Sequence, residues 1–161
     1  MEKATVLATR LGCPAVSVVC GSQKGWITRA YFIEWMADNL TKFRRKDATG
    51  VKVLLRNHLD HGNAFDCLEI CQYVAHARIG ISLSTHACAK SRDGFIDGVL
   101  RAALPWLHLV TLADRSASGE PIPLGDGIIQ HERIIAFLDR SGYGAYVGVW
   151  ADDLWRLYPE N

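Results

Sequence analysis

Short apolar, β-branched runs alternate along this chain with longer amphipathic stretches, and glycine-bearing or polar turns separate them. Glu2 to Leu11 reads as the tail of an amphipathic helix that Gly12 and Pro14 break before a strand from Ala15 to Val19. Thr28 is placed to cap a helix from about Arg29 to Arg44, with Phe32, Trp35, Met36, Leu40 and Phe43 as its inward stripe. Val51 to Leu55 is the next strand, and Asn63 caps a helix to about His76 whose inward stripe is Phe65, Leu68, Cys71 and Val74. Ile79 to Leu83 is a third strand. Asp93 to Ala103 is a helix with Phe95, Ile96, Val99 and Leu100 inward.

The most informative stretch is Pro105 to Trp150. Leu107 to Leu112 is a buried strand, and a long polar loop follows from Asp114 to Gly127. A helix from about Gln130 to Ser141 and a closing strand from Tyr146 to Trp150 complete a βαβ unit. The chain thus predicts five short strands with helices between them, an α/β fold in one domain over 1–161 with no linker or repeat.

Composition narrows the function classes. Over 161 residues, 18 Lys and Arg stand against 17 Asp and Glu, so no charge excess calls for nucleic acid or an anionic membrane. The basic run Arg44 to Lys46 reads as the solvated end of a helix, complementing its dipole. No stretch resembles a signal peptide or a membrane span, and the five Cys lack CxxC pairs; both point to a cytoplasmic protein with reduced, mostly buried thiols. Cys67 and Cys71, a helical turn apart, read as core.

In α/β folds with parallel strands the chemistry gathers at the carboxyl ends of the strands. That rule collects Ser22, Arg56, Asn57, His58, Asp60, His61, Ser84, Thr85, His86, Thr111, Asp114, Arg115, Asp126 and Trp150 on one rim. His58, Asp60, His61 and His86 have the residue types of a metal site, although HxxH in a loop fixes no geometry. His108 reads as a hydrogen-bonded core residue and His131, at a helix start, as exposed. The PLGDG turn, with Gly125 and Gly127, could offer backbone N–H groups to a phosphate or carboxylate, or be only a turn. GYGAYVG at Gly142 to Gly148 leads into a strand instead of following one, so it is no dinucleotide fingerprint.

Five segments taken together resemble the sugar phosphate isomerase/epimerase family with a xylose-isomerase-like TIM barrel, related to endonuclease IV. They are LATRLGCPAVSVVCGS (7–22), GVKVLLRNH (50–58), IGISLSTHA (79–87), LHLVTLADR (107–115) and PLGDGIIQHERIIAFLDRSGYGAYVGVW (123–150). They fall in the family's order, and the last is the most specific. The resemblance implies a partial (β/α)8 barrel, roughly the fourth to eighth strands. Such an open piece exposes strand edges, so it would be a truncated reading frame, a fragment, or a partial barrel completed by a homo-oligomer.

The resemblance also implies where a divalent metal (Mn, Mg or Zn) would sit, on Glu, Asp, His and Glu at successive strand ends. Here those positions hold Arg56, Ser84 (with His86 one place short of the usual His), Thr111 and Trp150. A guanidinium at the first of them puts a fixed positive charge where the cation would bind. The expectation is therefore no metal and no other cofactor, with divalent metal as the alternative. Catalytic candidates are His58, His86, Asp114 and Arg56: His86 or Asp114 would carry a proton, and Arg56 would stabilise an enediolate or hold a phosphate. Asn57, Gly125 and Gly127 would contact the substrate, a sugar or sugar phosphate. The competing expectation is a non-catalytic sugar-binding or structural relative.

Overall fold

The computed structural model describes residues 1–20, 25, 27–58, 63–88 and 95–150. Helix α1 (Glu2–Arg10) leads into β1 (Ala15–Val19), followed by α2 (Arg29–Lys46), β2 (Lys52–Arg56), α3 (Ala64–Val74) and β3 (Ile79–Ser84). A short α4 (Thr85–Cys88), then α5 (Phe95–Ala103) and a 3-10 turn at Leu104–Trp106, lead to β4 (Leu107–Leu112). A two-stranded antiparallel ribbon of β5 (Asp114–Arg115) and β6 (Pro121–Ile122) precedes α6 (His131–Arg140) and β7 (Tyr146–Val149).

The main sheet has the order β1-β2-β3-β4-β7, with every pair parallel, so each helix connection returns the chain to the same end of the sheet. This is the α/β architecture of a partial TIM barrel. The five strands are those expected from the apolar runs, and β3, the central one, is buried along its whole length. The outer strands differ. Val19 on β1 and Tyr146, Val147 and Val149 on β7 are exposed, because each of these strands has a neighbour on one side only among the described residues.

Local chemistry explains the helix limits. The Thr28 side chain accepts from the Tyr31 N–H at the start of α2, and Arg44, Arg45 and Lys46 occupy its last turn, where cations complement the dipole. Asn63 and Asp66 form a reciprocal capping box on α3. Two predicted stripes are corrected. Trp35 is exposed, whereas Phe32 and Leu40 face the core as expected and Ile33 and Ala37 join them. Phe65 is also exposed, and the buried face of α3 carries Cys67, Leu68, Ile70 and Cys71. Small thiols fit the close approach of α3 to the sheet, with the Cys67 Sγ 3.8 Å from that of Cys20. Burial pushes the Cys71 thiol up to about 12, so it stays protonated as a core residue.

At the amino end of the sheet the pairing of β3 with β4 slips between Ile81 and Ser82. Gly80 makes that approach possible: a Cβ there would stand 2.8 Å from the Trp106 carbonyl oxygen and 2.4 Å from the His108 ring. His108 is accordingly half-buried instead of fully in the core, with its ring nitrogens 3.3 and 3.5 Å from Lys52 Nζ. Burial first, and then the Lys52 charge, holds the imidazole below its ordinary pKa.

Candidate functional site

The carboxyl ends of β2, β3 and β4 are tied together by polar side chains that the strand-end rule places on the rim. Asn57 is buried just past β2. Its Oδ1 accepts from the Ser84 N–H at 2.7 Å, and its Nδ2 donates to the Ser84 carbonyl at 3.1 Å and the Cys88 Sγ at 3.2 Å. One amide thereby reproduces a pair of ladder bonds between strand ends. Thr85 does the same for β3 and β4: its hydroxyl donates to the Ala113 carbonyl at 2.7 Å and accepts from the Ala113 N–H at 2.9 Å.

Asp114 organises the loop expected to be functional. Its side chain is fully buried, and its carboxylate accepts four backbone N–H groups. They come from Arg115 (2.8 Å), Gly125 (3.0 Å), Gly127 (3.1 Å) and Ile129 (3.3 Å). Burial pushes the Asp114 pKa up, but the bonds from Arg115, Gly125, Ile129 and Gly127 outweigh it and hold the group below its ordinary value. The PLGDG turn therefore aims its amides at an internal anion. Gly125 takes φ +98°, and a Cβ on Gly127 would fall 2.1 Å from Asp114 Oδ1, so both glycines are there to let the turn close on the carboxylate. The substrate contacts expected of Asn57, Gly125 and Gly127 meet polar atoms already engaged inside the protein.

His131 corrects another expectation. It is buried at the start of α6, with its Nδ1 3.6 Å from Asp114 Oδ2 and neither ring nitrogen hydrogen-bonded among the described residues. It shares the buried face of α6 with Ile134 and Leu138, which places it inward.

Two further expected residues, His86 and Arg56, stand at or just past strand ends. His86 on α4 is half-buried, with Nδ1 3.3 Å from the Asp114 carbonyl oxygen. A carbonyl only accepts, so this bond requires Nδ1–H, and in the neutral ring Nε2 is then the acceptor. Arg56, at the end of β2, lies with its guanidinium carbon 3.9 Å from the centroid of the Trp150 ring. The contact joins ends of strands that are not neighbours, since β3 and β4 separate β2 from β7. A planar cation stacked on indole is a cation–π pair. His58 is half-buried beside Asn57 at the same strand end. Ser22, Asp60 and His61 lie outside the described residues.

The donor set decides whether a divalent metal suits this rim. Of the four implied ligand positions, Arg56 is a cation, Trp150 offers no lone pair and Thr111 only a hydroxyl; Ser84 is buried at the Asn57 staple. Among the described residues no three His, Cys, Asp or Glu side chains are grouped to hold a metal ion. These residues do not fit the metal site that the resemblance implies. No helix among the described residues is long and apolar enough to cross a membrane.

Comparison with known proteins places the fold. The profile of the xylose isomerase-like TIM barrel family matches residues 1–153. Curated protein sequences give no match. Among solved structures, 3-keto-D-glucoside 4-epimerase YcjR from E. coli superposes with a TM-score of 0.74 at 15% identity, over 98% of this chain and 65% of that one. The IOLI protein with a bound zinc atom gives 0.78 at 18% identity, over 97% and 61%. D-psicose 3-epimerase with D-tagatose from Clostridium cellulolyticum H10 gives 0.73 at 17% identity, over 92% and 53%. The chain thus spans between 53 and 65% of the length of these three. At such identities the likeness establishes the fold.

Proposed function

The chain belongs to the xylose isomerase-like TIM barrel family, and from that premise we propose that it binds a sugar or sugar phosphate at the carboxyl rim of its sheet. In this proposal it moves a proton on that substrate as a cytoplasmic isomerase or epimerase without a divalent metal. The observation that carries the reading is the Arg56 guanidinium stacked on Trp150, a fixed cation held at the positions of two implied metal ligands. Sugar epimerases among the structural neighbours support the substrate class.

The chemistry follows from the rim. A proton alpha to a carbonyl leaves when a base receives it and a cation stabilises the enediolate oxygen that forms. His86 Nε2 is the base in this scheme, because the Asp114 carbonyl holds the other nitrogen protonated. Arg56 meets the oxyanion or a substrate phosphate. Asp114 positions His86 and the loop instead of carrying the proton itself, since four amides hold its carboxylate as an anion. His58 completes the rim beside Arg56. Delivery of a proton to the same carbon by a second donor on the other face gives an epimer; return to the neighbouring carbon, with a hydroxyl proton passing between the two enediolate oxygens, gives an isomer.

A second reading is a non-catalytic sugar-binding relative. It is favoured by the engagement of Asn57, Gly125 and Gly127 in internal bonds. Hydrogen exchange at the alpha carbon separates the two. A panel of ketoses and ketose phosphates incubated with the chain in D2O is followed by NMR in the presence of a chelator. The proposal expects exchange on at least one member and a loss of about 10²- to 10⁴-fold in His86→Gln. Silence across the panel with binding retained would leave the second reading.

A further inference from the structure

The outer surface carries a feature that rim chemistry does not use. Tyr31 and Trp35 on α2 and Tyr73 on α3 are each more than half exposed, at 56, 51 and 60%. They line a shallow groove of about 460 Å³ between the two helices, together with Glu34 and Asp38. Since α2 and α3 flank β2 as consecutive helices of the outer layer, closing the barrel with further strands would not cover this groove. Aromatic side chains clustered in solvent are characteristic of the core of an interface.

The charge order along α2 says what fits there. Its solvent face carries Tyr31, Glu34, Trp35, Asp38, Lys42 and Arg45, opposite the buried Ile33, Ala37 and Leu40. The first half of this face is acidic and aromatic, and the second half, with Lys46, is basic. Two such helices laid antiparallel are complementary along their length. About an axis near residue 40, Asp38 meets the partner's Lys42 and Trp35 meets the partner's Arg45, each contact occurring twice. Within one chain the Asp38–Lys42 pair is loose, at 3.6 Å with side chains 74 and 69% exposed, so both groups remain accessible to a partner.

We propose that α2 is a dimerisation helix through which two copies of this chain associate in an antiparallel, two-fold arrangement. One helix pair and its flanks form a small interface, so the association is a concentration-dependent equilibrium.

Sedimentation equilibrium of the full chain tests this. The wild type should move from the 17.9 kDa chain mass toward twice that value as concentration rises, and the dimer should weaken with added salt. Asp38→Lys alone and Lys42→Asp alone should each raise the dissociation constant at least about tenfold, because each replaces two attractive contacts by repulsive ones. The double variant restores opposite charges and should recover dimerisation. Thermal melts of each variant confirm that the monomer is folded. A wild type that stays monomeric overturns the proposal, also if its tryptophan fluorescence responds to a Lys- and Arg-rich peptide, which would assign the groove to a basic partner. Dimers that ignore the single reversals, or that the double variant fails to restore, overturn it equally.

Discussion

Replacing Asp114 with alanine is expected to lower the unfolding free energy by about 3–5 kcal/mol, read as a shift of the urea midpoint. The magnitude follows from what the carboxylate does. It gathers the N–H groups of Arg115, Gly125, Gly127 and Ile129, which lie one to fifteen residues away, around one buried anion. Alanine leaves those donors facing a void, and each buried donor without a partner carries its own desolvation cost. Asparagine keeps the shape but turns an N–H₂ toward other N–H groups, so it should recover only part of the loss.

The acid limb of the stability curve carries the same signature. The Asp114 pKa is held below its ordinary value, so the unfolded chain takes up the proton first as pH falls. Its contribution is present above the ordinary carboxylate pKa of 3.8 and is lost as pH falls from there through the lower folded value. Asp114→Asn should flatten this limb. Asp47 acts in the same direction: burial raises its pKa, but bonds from Thr49 and Thr5 and the Arg78 charge more than offset that. A matched Asp47→Asn variant separates the two.

Substitution of Arg56 by methionine is the second large effect. If the guanidinium stabilises an enediolate, alpha-hydrogen exchange should fall about 10²- to 10³-fold, the usual consequence of removing one oxyanion donor. The kinetic constants say which role applies. A lower kcat on sugars and sugar phosphates alike marks oxyanion stabilisation, whereas a raised KM on phosphorylated substrates alone marks phosphate binding. The cation–π pair itself contributes about 0.5–2 kcal/mol of stability, so activity is compared at a temperature where thermal melts show the variant folded. Lysine is not a neutral control here. It keeps the charge but loses the planar fork that stacks on Trp150.

The alternation of strands and helices was legible in the sequence because each element agrees with its own period and caps: Thr28 and Asn63 both cap as their positions indicate. The family was legible because five segments keep its order. The site was less so. Nothing local to Asp114 announces that amides from residues 125 to 129 turn back onto it, since the loop between them is polar and glycine-bearing whichever way it faces. His131 could have been placed, because it precedes Ile134 by three residues and Leu138 by seven, on one helical face. Trp35 could have been placed too: counting Ile33 and Ala37 in the stripe rotates its centre and moves Trp35 outward. That Arg56 and Trp150 touch required the sheet, because their strands are neither adjacent in sequence nor paired.

In the proposed mechanism the rim works through the fixed Arg56 cation in place of a divalent metal. The most direct test of this is the metal content of the chain after purification with added Mn²⁺, Mg²⁺ and Zn²⁺ and removal of the excess, measured by plasma mass spectrometry. Far less than one metal ion per chain is expected, with no gain in alpha-hydrogen exchange on adding metal. One tightly held ion per chain, lost together with activity on chelation, would contradict the mechanism.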